Sequence, residues 1–168
     1  MSFDWLPPLV LLADAGGDWH VYEEVLYGCF KRDFVDSLPF WPGKRVGLKR
    51  YPLSKGKEAT FWHFISTGES EADREIDLRR CERIRWPRPM MEAFPNKPPP
   101  MASPVLWWKS QRGTEWRYVL TLADFSYVVV VADRGEYVLP WTTYHVEHDH
   151  QRKKLRLDYE DFWQNQKC

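Results

Sequence analysis

Apolar residues return at helical spacing between Val21 and Phe30, where Val21, Val25, Leu26, Cys29 and Phe30 make up one stripe. Asp18 stands just ahead of that stripe as an N-cap carboxylate, so the pattern predicts a helix over 19–34. The stretch 38–57 is broken by Pro39, Pro42, Gly43, Gly47, Pro52 and Gly56 and reads as a loop or short strand crossing the surface. Residues 59–66, Ala-Thr-Phe-Trp-His-Phe-Ile-Ser, are too few and too aromatic for periodicity to separate a strand from a buried helix. Thr67 or Ser70 then precedes Glu71, Asp73 and Glu75, and Arg79, Arg80 and Arg83 follow. Acid first and base last is the order a helix dipole favours, which predicts a helix ending in those arginines. Pro87 and Pro89 stop it and open a second short helix running to Phe94.

Past a stiff connector at 95–104, with Pro98, Pro99 and Pro100 in a row, the chain turns to β-branched and aromatic runs. Segments 105–110, 116–122, 127–132 and 136–146 are separated by short turns containing Gly or Asp, which predicts a four-stranded antiparallel meander. Only 127–132, Tyr-Val-Val-Val-Val-Ala, lacks alternation, so it is expected in the middle of the sheet, buried on both faces. Pro140 has no N–H for a ladder and predicts an edge or a bulge in the last strand. Leu155, Tyr159, Phe162 and Trp163 then share a stripe, which predicts an amphipathic helix over 152–163. The fold class expected is α+β: N-terminal helices within about 1–95 packed on a four-stranded antiparallel sheet, with a C-terminal amphipathic helix, in one domain over 1–168.

Composition narrows the setting. A chain of 168 residues with ten Trp, eight Tyr and nine Phe has ample apolar area for a packed aromatic core. Lys plus Arg and Asp plus Glu number 24 each, so no global field draws the protein to a polyanion, and any such site must be local. Cys29, Cys81 and Cys168 are odd in number and show no CxxC spacing, which fits reduced thiols in a cytoplasmic protein. The apolar runs at 9–13 and 127–132 are far too short to span a bilayer, so no membrane role is expected.

Three basic segments, 44–57, 79–88 and 152–156, could supply that local field if two of them meet on one face. Trp62, Trp86, Trp107 and Trp141 could stack bases beside it, although charge runs equally mark solvated helix faces and tryptophans equally build cores. His63 sits among Phe61, Trp62 and Phe64, where it is either a core histidine or a proton-transfer group with an environment-sensitive pKa. Strand alternation sends Thr142 and Tyr144 to one face and Thr143 to the other. His145, His148 and His150 with Glu147 and Asp149 offer donors for a transition metal, but a polar strand-to-helix turn explains them as well. Gly-rich phosphate loops, nucleophile elbows and HExxH are missing, which leaves hydrolases built on those motifs without an anchor.

The order Thr60-Phe-Trp-His-Phe64, Asp77-Leu-Arg-Arg-Cys-Glu-Arg-Ile-Arg-Trp-Pro-Arg88, a Val-rich strand, Trp141-Thr-Thr-Tyr144 and Arg152-Lys-Lys-Leu155 resembles phage-borne proteins of the barnase, EndoU, colicin E5 and RelE-like nuclease superfamily. The resemblance implies helices on a four-stranded antiparallel sheet whose exposed face binds RNA, with tRNA and mRNA as the candidate substrates, and cuts it with neither cofactor nor metal. It implies His63 as acid or base, Arg79 and Arg83 as phosphate clamps, and Thr142 with Tyr144 as the strand motif. Arg80, Arg85, Arg88, Lys153 and Lys154 would hold the nucleic acid, and an antidote protein would be a natural partner. Two further classes stay open beside the endoribonuclease: a non-catalytic module binding nucleic acid or protein, and a structural or regulatory prophage protein. Convergence of His63 with the strand threonine on one groove separates the first from the others.

Overall fold

The computed structural model describes residues 3–100 and 102–166. Helix α1, Trp19–Phe30, is capped by Asp18, whose carboxylate accepts from the backbone N–H groups of His20 and Val21, and it continues into a π-helical turn over Lys31–Val35. Its buried face matches the predicted stripe only in part, at Leu26 and Phe30, with Cys29 half-buried. Tyr22, Leu26 and Phe30 point inward at intervals of four, while Val21 and Val25 are exposed. The aromatic side chains remove more area from water than valine does, and they set the rotation of the helix. Phe30 meets Phe34, Phe61 and Phe64 at centroid distances of 5.5 to 5.8 Å.

Strand β1 (Arg45–Val46) precedes helix α2, Ala59–Ile65, so the segment whose periodicity was ambiguous is a buried helix carrying His63. The helix predicted to run from Thr67 or Ser70 into the arginines is absent. The chain instead turns back through strands β2 (Ser66–Thr67) and β3 (Glu75–Ile76), an antiparallel pair joined across a single 3-10 turn, Glu71–Asp73. Gly68 permits this return, because a Cβ there would lie 2.8 Å from the Asp73 carbonyl oxygen. Helix α3 is only Leu78–Glu82, capped by the Asp77 carboxylate, and α4 is Pro87–Glu92 with proline in its first turn.

Strands β4 (Val105–Arg112), β5 (Glu115–Leu122), β6 (Tyr127–Asp133) and β7 (Tyr137–His145) form the expected meander. The sheet has five strands rather than four, in the order β1-β7-β6-β5-β4, and is mixed rather than antiparallel, because β1 runs parallel to β7. β1 lies within 38–57, the stretch read as a loop or short strand, but two residues carry no periodicity from which its pairing could be foreseen. Gly47 lets it close on β7: its N–H donates to the Val138 carbonyl at 2.8 Å, and an added Cβ would sit 3.0 Å from the Tyr137 ring. β6 is central and Tyr127 through Ala132 are buried. Pro140 stands at a bulge: Val131 pairs with Pro140 and Val130 with Thr142, leaving Trp141 as the extra residue.

Helices α1 to α4 cover one sheet face, with Trp107, Tyr118, Leu120, Tyr127, Val129 and Val131 in the shared core. Helix α5, Asp149–Asn165, covers part of the other through Leu155, Tyr159 and Phe162 against Trp108, Val119, Phe125 and Val130, while the Trp163 indole N–H donates to the Trp107 carbonyl at 2.6 Å. The second face is therefore only partly open. Cys29 and Cys81 are free thiols, and Cys168 lies outside the described residues. Among the described residues no helix is long and apolar enough to cross a membrane.

Truncating Phe30 to alanine should cost about 3–5 kcal/mol, whereas Val25→Ala on the exposed side should stay within about 0.5 kcal/mol. Urea denaturation of the two variants checks the rotation of α1, and equal losses would refute it.

Candidate functional site

Strand β1 covers β7 only at Tyr137 and Val138, so the edge of β7 from Trp141 onward is free of a neighbouring strand. The C-terminus of α2 and the start of α3 fill that edge. A helix end leaves carbonyls without intrahelical partners, and here several elements take them. Ser66 Oγ donates to the Trp62 carbonyl, Thr142 Oγ1 to His63 O at 3.5 Å, Thr143 Oγ1 to Phe64 O at 3.2 Å and Asp77 N–H to Ile65 O at 2.9 Å. Sheet register does the rest: Thr142 lies across from Val130, Val130 from Val119 and Val119 from Trp108, all on the face that α5 partly covers. The two arrangements bring His63, Thr142 and Tyr144 to one groove.

That groove consists of two adjoining cavities of about 680 Å³ each, with Arg80, Arg112, Arg117, Thr142 and Tyr144 in the walls of both. One extends under α5 to Lys154 and Asp158, the other to His63, Lys49, Glu71 and Arg74 beneath the β2–β3 turn. Arg80 is its pivot: Nη1 donates to Ser66 O at 2.6 Å and Thr142 Oγ1 at 3.4 Å, and the guanidinium lies 5.9 Å from the Tyr144 ring centroid. Asp77 Oδ2 is 3.4 Å from Arg80 Nε, yet Nε has no hydrogen-bond partner among the described residues. Arg74 joins it on the same carbonyl, Nη2 to Ser66 O at 2.7 Å. Among the described residues neither Arg74 nor Arg112 has a carboxylate within ion-pairing distance. Cations held this way leave a positive field for an incoming anion.

His63 Nε2 lies 2.7 Å from Glu71 Oε1, which also accepts from Lys49 Nζ at 3.3 Å. Burial pushes the imidazole pKa below its usual value, opposed first by the Glu71 hydrogen bond. Burial raises the Glu71 carboxyl pKa, but the His63 and Lys49 bonds outweigh it and bring the group below the usual value. An ionised Glu71 facing a neutral His63 fixes the ring proton on Nε2 and leaves Nδ1 as the basic nitrogen. Burial raises the Tyr144 phenol pKa, opposed by Arg80, so the hydroxyl stays protonated and can donate. Trp141, pushed out by the bulge, meets the His63 ring edge-on at 5.3 Å, with Lys49, Arg117 and Arg134 at 5.5, 5.1 and 5.8 Å from its ring centroid.

Of the residues nominated from sequence, His63, Arg80, Thr142, Tyr144 and Lys154 come together. Arg79 does not: it is exposed and pairs with Glu82 at 2.7 Å. Arg83 packs over Trp86 at 5.1 Å and donates to Arg79 O. Arg88 donates to Asp33 O and Ser37 Oγ on a separate part of the molecule, and Arg85 does not line the groove. Lys153 is exposed on α5, and Arg152 folds back on the Val146 carbonyl. Among the described residues no three His, Cys, Asp or Glu side chains gather closely enough to hold a metal; His148 and His150 stack on each other at 5.6 Å. Sequence reasoning missed Glu71, Arg74, Arg112 and Arg117 as groove residues. For Arg112 and Arg117 a signal existed, since alternation puts them on the face of Trp108 and Val119. Glu71 and Arg74 had none, because they arrive on an unforeseen hairpin.

No protein-family profile, curated protein or solved structure matches the chain.

Titration of His63 followed by NMR should give a pKa below about 6.5, and Glu71→Gln should lower it further by removing the carboxylate that favours the imidazolium. Because the folded-state pKa is depressed, His63 contributes stability that is present above about 6.5 and lost as the pH falls through its folded value. An upward move in the Glu71→Gln protein would overturn the pairing. Thr143→Val, which strips the Phe64 carbonyl of its partner, should cost about 1–3 kcal/mol in chemical denaturation.

Proposed function

We propose that this protein is a metal-independent endoribonuclease, cutting RNA in the groove between α5 and the β2–β3 turn by attack of a ribose 2′-hydroxyl on the adjacent phosphorus. The observation that carries this reading is the convergence of the His63–Glu71 pair with Arg80, Thr142 and Tyr144 on one open, cation-lined sheet face. The reaction needs a proton acceptor, a proton donor and cations for the phosphorane charge. His63 Nδ1 accepts the 2′-hydroxyl proton as the O2′–P bond forms. Tyr144 gives its proton to O5′ as the P–O5′ bond breaks, and exchange with solvent then returns both side chains to their starting states. Arg80 holds the non-bridging oxygens, with Thr142 beside it as an orienting hydroxyl. Trp141 offers an aromatic surface next to the reacting phosphate. Balanced net charge is no obstacle, since the positive field is local.

A second reading, an RNA-holding module without chemistry, draws on the burial of the His63 side chain, which is 7% exposed. The same cations would serve it.

Incubating the purified protein with total RNA and with a labelled tRNA pool separates the two. Cleavage should persist in chelator and leave 2′,3′-cyclic phosphate ends. His63→Ala should slow it by about two to four orders of magnitude with little change in RNA affinity. Arg80→Ala should reduce both affinity and rate, while Arg83→Ala, outside the groove, should alter neither. Affinity should fall steeply with added salt. Unimpaired cleavage by the His63→Ala protein would remove that residue from the mechanism, and loss of cleavage in chelator would sink the metal-free reading. Salt-sensitive binding without cleavage would leave the second reading standing.

A further inference from the structure

A third cavity, of about 470 Å³, lies on the far side of the β2–β3 turn, between the start of α1 and the loop before α2. It meets the main groove at Glu71 and Arg74, which line both, so only the turn itself divides them. Its chemistry differs from that of the groove. Trp19, Trp62, Leu53 and Ile76 supply apolar walls, and Leu53 and Ile76 are exposed although they are large aliphatic side chains. Trp62 is held in place by its indole N–H, which donates to Ser54 O at 3.1 Å. Lys55, itself in the wall, lies 5.8 Å from its ring centroid, so the indole borders the cavity beside a cation that a stacking ring would displace.

Two carboxylates, Glu23 and Glu71, also border the space. Glu23 is buried with Lys55 and Lys57 at 3.4 and 3.5 Å, and Glu71 is engaged by His63 and Lys49. The wall's two cations, Lys55 and Arg74, face the two carboxylates, so it carries no excess of positive charge and an anionic phosphate has little to gain here. A flat, uncharged ring with N–H donors suits it better: the indole takes its face and the carboxylates take its edge. We propose that this cavity is a nucleobase subsite, which takes the base of the nucleotide next to the one cut in the main groove while the strand passes over the Glu71–Arg74 turn. The inference rests on the RNA-cleaving reading of that groove and adds a preference to it: a substrate with one unpaired nucleotide beyond the two that flank the scissile bond is cut faster.

The test compares cleavage of a dinucleotide, of trinucleotides extended by one residue on the 5′ or the 3′ side, and of the same trinucleotides with an abasic third residue. One extension should raise kcat/KM by about tenfold or more, the worth of one stacked base, and the abasic counterpart should lose the gain. Leu53→Asp and Ile76→Asp, both at exposed positions, should also lose it while cleaving the dinucleotide at the wild-type rate. Trinucleotides cut no better than the dinucleotide would overturn the subsite, as would a gain that survives the abasic residue. A gain retained in both variants would also overturn it and leave the cavity to a side chain of a partner protein. Failure of the wild-type protein to cut any of these RNAs defeats the reading of the main groove, and this proposal with it.

Discussion

The carbonyl groups at the end of α2 are the joint on which the site depends. Trp62, His63, Phe64 and Ile65 present acceptors that the helix cannot satisfy, and unmet acceptors buried in an aromatic core would be costly. Their donors come from three directions: Ser66 at the start of the hairpin, Thr142 and Thr143 on β7, and the backbone of Asp77 ahead of α3. Meeting that demand forces the hairpin, the sheet edge and α3 to meet at one point. The carbonyl of Ser66 extends the same pole, and both Arg74 and Arg80 donate to it, as cations do near a helix C-terminus.

The sheet supplies the rest of the geometry through a departure from regularity. Because β1 is only two residues long, β7 is flanked by a strand at one end and by helices at the other. The bulge at Pro140 falls between those two regimes. It lets Leu139 keep its place over Ala132 while Thr142 and Tyr144 stay in line with the apolar rows of β6, and it turns Trp141 toward His63 and three cations. A regular strand would shift every side chain beyond it to the opposite face, sending Thr142 into the core and Thr143 into the groove.

Charge is arranged with similar economy. The molecule has equal numbers of acidic and basic residues, yet most ion pairs lie away from the groove, such as Lys44 with Asp133, Lys57 with Glu24 and Arg79 with Glu82. Within the groove Arg117 pairs with Glu115 and Arg80 has Asp77 at 3.4 Å, but Arg74 is held by carbonyl and hydroxyl oxygens, Arg80 donates to a carbonyl and a hydroxyl, and Arg112 is left toward solvent. A dipolar partner positions a guanidinium without cancelling its charge, so a neutral protein keeps a positive surface where the sheet is open.

Long periodic segments were determined by the sequence itself: Asp18 as cap, the four meander strands with 127–132 central, the bulge at Pro140, and the α5 stripe of Leu155, Tyr159, Phe162 and Trp163. These features are local, since each follows from a side chain's fit to its own element and to one apolar face. Tertiary structure alone decided that Tyr22 rather than Val21 faces inward, that 59–65 is helix, and that 45–46 joins β7 in parallel. It also decided that 66–76 doubles back instead of winding into a helix. The candidate site divides in the same way. His63, Thr142 and Tyr144 were legible as chemistry-bearing residues, but the choice of Arg80 over Arg79 and Arg83 was not, because three arginines in five positions are equivalent until a particular carbonyl and a particular sheet edge select one. That selection is made by contacts between residues some sixty positions apart, Arg80 with Thr142, and no local pattern encodes it.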